Sequence, residues 1–406
     1  MSDESLRKAY KYKLKPTPNQ EQELERVLWR CRTLYNTALE QRITAYRRCG
    51  VTLTCSEQQA ELPDVKAAFP EYGAIHSQVL QDVLTRLDKT YQAFFRRVKA
   101  GQTPGFPRYQ GRTRYHSFTY KQYGNGARLD NGFLVLSKLG RIAVRWSRPL
   151  DGAPKTVTIS KEADGWYAVI SCAEVPVAQT LPPTGRETGI DVGLKVFLIT
   201  ADGLVVDNPR HYRRGEQKLA KANKRVSRRQ KGSKRRGKAV GQLSKAHQTV
   251  KRQRSDFHQK TALILVRQYD TIYLEDLRVA NMVRNRHLAK SISDAGWAHF
   301  RTLLEAKAAC AGRRVIAVPA QYTSQDCSGC GERIPKSLSA RTHVCTSCGL
   351  VVDRDANAAR HIQWAGQALR GLAGLPAGTN RESATALAYA ECQERRLAIL
   401  IHRRLS

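Results

Sequence analysis

The chain of 406 residues is long enough for two or three domains, each with its own core. Sixty-nine Lys and Arg stand against thirty-five Asp and Glu, a formal charge of +34 that a polyanionic partner, usually nucleic acid, relieves. The opening residues lack the apolar core of a signal peptide and the longest aliphatic run, Ala262–Val266, is too short to span a bilayer, which argues against secretion or membrane insertion, predicts a cytoplasmic location and makes the ten cysteines poor disulfide candidates.

Residues 8–14 alternate basic with larger apolar groups and predict a strand, which Pro16 and Pro18 break. Apolar residues spaced by three and four from Leu24 to Ala38 predict a helix over about 19–48. A second helix is expected over about 75–98, with Val79, Leu80, Val83, Leu84, Leu87, Tyr91 and Phe94 on its apolar stripe. Its polar face, with Gln78, Gln81, Arg86 and Lys89, is either a nucleic-acid contact or a solvated surface. The stretch "GQTPGFPRYQGRTRYH" (101–116) reads as a basic loop presenting Arg112 and Arg114. Short strands with Asn-Gly and Asp-Gly turns follow, a β module expected to be a barrel that the opening strand completes, with a boundary at 182–185.

The segment "ETGIDVGLKVFLITADGLVV" (187–206) predicts one strand, a turn at 201–203 and a second strand. Between Arg210 and Arg254 stand eighteen Lys or Arg and one acid, Glu216. This run is read as two basic helices interrupted near 231–233, either laid on a phosphate backbone through Arg228, Arg229, Lys231, Lys234, Arg235 and Arg236 or forming a basic hairpin without a ligand. A strand over 270–276 ends in Glu275 and Asp276, an amphipathic helix covers 294–312, and "RRVIAVPA" gives another strand. The last clear helix begins near Asp355, and the Gly- and Ala-rich stretch after Gly371 leads into a basic helical pattern with no assigned role.

Two constellations carry chemistry. Cys327, Cys330, Cys345 and Cys348 form C-x2-C-x14-C-x2-C, and Gly331 and Gly349 supply the positive-φ residue that a metal knuckle needs. Four thiolates predict a structural Zn²⁺, coordinatively closed and so not catalytic; a redox pair or free thiols are the alternatives. The acids are the second. Asp191 interrupts an apolar strand, where a charge needs a cation or a donor; Glu275 ends another strand and Asp355 opens a helix. Three acids on separate elements suit phosphodiester cleavage by two Mg²⁺ ions about 4 Å apart. Singly, each has a structural reading, as Asp353 does as an N-cap and Asp276 as a surface acid.

The motifs "GIDVGLKVFLITADG" (189–203), "RSDFHQKTA" (254–262), "IYLEDLRVANM" (272–282), "SISDAGWAHF" (291–300), "TSQDCSGCG" (323–331) and "CTSCGLVVDRDANAARHI" (345–362) resemble, in order and gaps, those of the TnpB (OrfB) proteins of bacterial insertion sequences, relatives of type V CRISPR effectors. The helix over 77–95 and "GFPRY" (105–109) extend the resemblance, which covers about residues 8–365. It implies a multidomain α/β fold: an RNase H-like (RuvC) nuclease split along the chain, a zinc-ribbon insert, and an N-terminal wedge β-barrel interrupted by a helical recognition lobe. The implied boundaries are 1–15 and 116–184 for the wedge, 16–115 for the recognition lobe, 185–320 for the first RuvC part, 321–352 for the ribbon, 353–370 for the last RuvC helix and 371–406 for a tail. It further implies that Asp191, Glu275 and Asp355 are catalytic and hold Mg²⁺. The partners it implies are a guide RNA from the transposon end and target double-stranded DNA with a short adjacent motif, with Gln78 on the recognition face. A CRISPR-associated effector of the same lineage and a non-cleaving RNA-guided repressor are alternatives; all three acids are present, which disfavours the second. A strand transposase using a tyrosine and paired histidines is disfavoured because the ten histidines are scattered and no HxH occurs.

Overall fold

The computed structural model describes residues 6–176, 180–335, 337 and 340–372, so the basic pattern beyond Gly371 lies essentially outside the described residues. The chain divides into two compact units, Met1–Pro176 and Val177–Ser406.

The first unit opens with strand β1 (Leu6–Lys15) and helix α1 (Pro18–Cys49). The Pro-Thr-Pro break is a capping box: the Thr17 hydroxyl accepts from the Gln20 N–H, the Gln20 side chain accepts from the Thr17 N–H, and Pro18 sits where a missing N–H costs nothing. Short helices α2 (Cys55–Ala60), α3 (Leu62–Ala68) and α4 (Pro70–Gly73) lead to α5 (Ser77–Lys99). Strands β2 (Ser117–Tyr120), β3 (Ala127–Asp130), β4 (Phe133–Leu136), β5 (Gly140–Arg145), β6 (Ala153–Glu162) and β7 (Gly165–Val175) follow. With β1 they form one antiparallel sheet in the order β2-β6-β7-β1-β5-β4-β3. The opening strand is therefore internal, with Tyr10 opposite Ile170 and Lys13 opposite Arg145.

Helices α1 and α5 pack through the apolar positions read from the sequence, except that Tyr91 and Phe94 are only half-buried. The polar face of α5 differs from expectation. Gln78 is buried, and its amide pairs with Gln122 in both directions, at 2.8 and 3.2 Å. Arg86 donates to the Ser117 carbonyl and Thr119 hydroxyl at 2.7 Å and pairs with Asp82, fastening α5 to β2. These groups are spent on packing because the helix lies across the sheet edge.

The second unit begins with β8 (Glu187–Val192), β9 (Val196–Thr200) and β10 (Val205–Asp207). The segment expected to be one strand up to the 201–203 turn is thus a hairpin, turning at 193–195, where the Gly193 N–H donates to the Phe197 carbonyl at 3.1 Å. The basic run forms α6 (His211–Ser227) and α7 (Lys234–Gln268), joined by a turn at 228–233. Then come β11 (Thr271–Glu275), α8 (Val279–Met282), α9 (Ala289–Ala295), α10 (Trp297–Cys310), β12 (Arg314–Val318), the hairpin β13 (Thr342–Val344) and β14 (Val351–Asp353), and α11 (Arg354–Leu372). The five-stranded sheet runs β10-β9-β8-β11-β12, with β8, β11 and β12 parallel and the other two antiparallel.

Alternation along the strands assigns the two faces. Ile190, Ile272 and Leu274 pack with Leu265, Trp297 and Phe300 of α7 and α10, whereas Tyr273 packs with Ile362 of α11. The odd-numbered neighbours Gly189, Asp191 and Glu275 accordingly belong to the α11 face. Helix and strand meet there closely: a Cβ on Gly189 would lie 2.1 Å from the Ala359 carbonyl oxygen, and one on Gly366 2.0 Å from the Tyr273 ring. Among the described residues no helix is long and apolar enough to cross a membrane.

Candidate active site and metal centre

Asp191 and Glu275 stand on adjacent parallel strands, one register step beyond the Ile190–Leu274 pair. Asp355 occupies the first turn of α11, the helix packed on that same face. All three are half-buried. Burial raises the Asp191 carboxyl well above the ordinary carboxylate range, and the charges of Glu275 and Asp355 push it further, with Arg354 opposing them. Burial likewise raises Glu275, offset by a hydrogen bond from the Thr323 hydroxyl. Asp355 is held by Arg354 at 2.9 Å and by Arg341 at 3.6 Å. Asp353 caps the helix, its Oδ1 accepting from the N–H groups of Asp355 at 2.9 Å and Ala356 at 3.1 Å.

The three acids therefore share one face and one electrostatic environment. Among the described residues, however, only the four cysteines form a group of three or more such ligands whose donor atoms all lie within 4.8 Å of one another. The oxygen-only, anionic donor set of the acids still fits a hard divalent cation in chemistry. A cavity of about 590 Å³ opens on the opposite, apolar face, beside Val192, Leu274 and Trp297, and touches this set only at Glu275.

The cysteine centre is built locally. Cys327 and Cys348 approach to 3.7 Å between sulfurs and Cys330 and Cys345 to 3.5 Å. A tetrahedral site with Zn–S near 2.3 Å needs sulfurs about 3.8 Å apart, so the spacing fits. The two knuckles repeat one pattern: the Gly331 N–H donates to the Cys327 carbonyl and the Gly349 N–H to the Cys345 carbonyl, both at 2.9 Å, and both glycines have positive φ. Burial alone would raise the Cys345 thiol, but N–H donors at Cys348 and Ser347 and the Cys330 side chain outweigh it and bring it down to about 7.

Ribbon and helix are tied together. Asn357, buried two residues after Asp355, donates from Nδ2 to the Asp326 carbonyl and accepts at Oδ1 from the Ser328 N–H, both at 2.8 Å. The Asp326 carboxylate, also buried, meets Arg333 at 2.9 Å and His361 at 3.8 Å. Thr323, Arg341, Arg354 and Asn357 were missed as site residues. The spacing of Asn357 and His361, both on the face of α11 that bears Ala358 and Ile362, was the available signal; Arg341 offered none.

Of the expected nucleic-acid contacts, Arg112, Arg114, Arg228, Arg229, Lys231, Lys234 and Arg235 are exposed. Arg236 is half-buried and donates to the Val226 carbonyl at 2.8 Å and the Arg229 carbonyl at 3.0 Å, closing the turn between α6 and α7. Gln78, as described, is buried.

A family model described as "Probable transposase" (OrfB, IS605 type) matches residues 170–286, and one for the Cas12f1-like TNB domain matches 297–362. A protein of Streptomyces pristinaespiralis named "Putative RNA-guided DNA endonuclease" is 35% identical over 374 residues, covering 90% of each chain. The chain belongs to the OrfB (TnpB) family. A second OrfB relative, "Putative RNA-guided DNA endonuclease InsQ" of Escherichia coli K12, is 30% identical and covers 89% of this chain and 92% of its own. The transposase match and the Cas12f1-like TNB match between them span all three acids and all four cysteines. A helix-turn-helix model matches residues 1–50, of which Leu6–Lys15 form one strand and Pro18–Cys49 one long helix. The mini-RNA-guided endonuclease CRISPR-Cas_phi3 aligns with a TM-score of 0.46 at 9% identity, covering 88% of this chain and 92% of that one.

Proposed function

We infer that this protein is an RNA-guided double-stranded DNA endonuclease encoded by an insertion sequence. One observation carries the reading: Asp191 and Glu275 stand near the ends of adjacent parallel strands on the face covered by the helix that presents Asp355. The names of the relatives, the +34 charge and the exposed cations of α6 and α7 support it. In this reading the second unit is an RuvC-like nuclease interrupted by a zinc ribbon, and the first combines a wedge β-barrel with a helical recognition lobe.

Asp191, Glu275 and Asp355 would hold Mg²⁺, which supplies charge neutralisation at the scissile phosphate and an activated water. Among the protein's own groups, burial and then the charges of Glu275 and Asp355 raise the Asp191 carboxyl, so a cation at the trio would stabilise its ionised form. Thr323 orients Glu275, while Arg354 and the Asp353 cap fix the start of α11 and with it Asp355. Cys327, Cys330, Cys345 and Cys348 would hold Zn²⁺ as a staple for the ribbon. Guide RNA and heteroduplex are recognised through backbone geometry, by the exposed cations at the α6–α7 turn and by Arg112 and Arg114, since base pairing supplies the sequence information.

Asp191→Ala, Glu275→Gln and Asp355→Ala should each abolish cutting of guide-matched DNA, by about a thousandfold or more, while guide RNA still co-purifies. Full cutting by any one variant overturns the site, and absence of a defined co-purifying RNA overturns the guided reading.

A further inference from the structure

A second cavity of this unit, about 330 Å³, is lined by Lys195, Arg210, Arg213, Arg341, Ser291 and Asp294, among others. Four cations share it with one acid, and that acid serves the backbone: Asp294 accepts from the N–H of Tyr212 at 2.8 Å and of Arg213 at 3.2 Å, capping α6. Positive charge is therefore in excess around a concave space, even with Asp294 in it and Arg341 reaching Asp355, an arrangement that an anion stabilises.

The lining is also built. Arg210 adopts a left-handed conformation, φ 48° and ψ 51°, unfavourable for a residue with a Cβ. Its N–H donates to Asn208 Oδ1 at 3.1 Å, and Asn208 Nδ2 donates to the Leu194 carbonyl at 3.0 Å, tethering Arg210 to the turn that carries Lys195. Arg213 is oriented by a hydrogen bond to the Ser291 hydroxyl at 3.1 Å. Arg341 lines the cavity and also reaches Asp355 at 3.6 Å, so the cavity adjoins the acid site.

We propose that this cavity is a phosphodiester subsite for the DNA strand delivered to the acids: Lys195, Arg210 and Arg213 grip a backbone phosphate near the cut, and Arg341 is the positioning residue between that phosphate and Asp355. The proposal rests on the endonuclease reading, and its test separates the two. The full chain with its guide RNA is compared with a Lys195→Ala/Arg210→Gly variant. Affinity for a single-stranded DNA oligonucleotide is measured against salt without added Mg²⁺, so that cutting plays no part. Losing the grip on that one phosphate should make the slope of log affinity against log salt shallower by about 0.7. An unchanged slope overturns the subsite.

In cutting assays on guide-matched target, single methylphosphonate linkages are walked through the region of the cut. One or two neutral linkages should slow the wild type about tenfold, while the variant is slow already and indifferent to them. Equal sensitivity in both proteins overturns the proposal, as does a variant that loses guide RNA affinity with its DNA slope intact. Because glycine relieves the left-handed strain, Arg210→Gly alone should weaken binding without lowering the thermal midpoint; a lower midpoint with unchanged binding marks a purely structural residue and overturns it. A wild type that does not cut defeats the endonuclease reading, and the salt slope still decides the subsite.

Discussion

The cysteine centre and the carboxylate site are both metal-type constellations, yet they are assembled in opposite ways. Four sulfurs come together within 22 residues because each knuckle turns on its own backbone hydrogen bonds. The three carboxylates arrive from two strands and a helix far apart in sequence, and only sheet order and helix packing bring them to one face. The first site is therefore specified by short-range chemistry, the second by the whole unit. Local sites are lost by changing their ligands, and topological sites by changing residues that never touch a ligand.

Changing the ligands should give the largest effect. In Cys345→Ser/Cys348→Ser, zinc measured by metal analysis should fall from about one ion per chain to none, and the ribbon should lose of order 10 kcal/mol of metal-linked folding energy. A folded ribbon without zinc would break the contrast. On the other side, Gly189→Ala should cost more than about 3 kcal/mol in urea unfolding, because its Cβ would meet main chain of α11 rather than a movable side chain. Retention of wild-type stability would mean that the helix is not seated where the acids require it.

The contrast was visible unevenly in the sequence. The knuckles, the α1 stripe and the apolar positions of α5 were legible because each depends on residues within a few turns of one another. The split of 187–200 into β8 and β9 was not, since the same alternation serves one strand or two and a tight turn at Gly193 decides. Gln78 and Arg86 look like any solvated face until the strand that covers them is known. Likewise, nothing in the neighbourhood of Asp294 announces that it caps a helix beginning some eighty residues earlier. The three acids were nameable through family resemblance, whereas Thr323, Arg341 and Arg354 follow only from the packing.

Two smaller measurements sharpen the comparison. His258 lies fully buried beneath β9, stacked on Phe197 with centroids 5.4 Å apart, its Nε2 2.9 Å from the Ala295 carbonyl. Burial lowers its pKa from 6.5 to about 4. The unfolded chain binds this proton below about pH 6.5 and the folded one only near 4, so stability falls as pH drops through that window, by up to about 3 kcal/mol. Urea unfolding from pH 7 to 4 should show this loss, and His258→Gln should remove it; an equal slope in both proteins would place the acid sensitivity elsewhere. Asp353 joins the two regions, ending the ribbon hairpin and capping α11. Asp353→Ala should cost about 1 kcal/mol and leave zinc content unchanged; loss of zinc would show that the regions are less separable than their construction suggests.

The Asn357 clasp has an engineering consequence. It grips the ribbon through the Asp326 carbonyl and the Ser328 N–H, main-chain groups that any residue but proline at 328 supplies. Another knuckle with the same backbone course that keeps an aspartate at 326 for His361 should therefore dock equally well, which makes the rest of the ribbon an exchangeable part. The socket is not exchangeable: aspartate there would offer no donor to the carbonyl, and leucine neither donor nor acceptor.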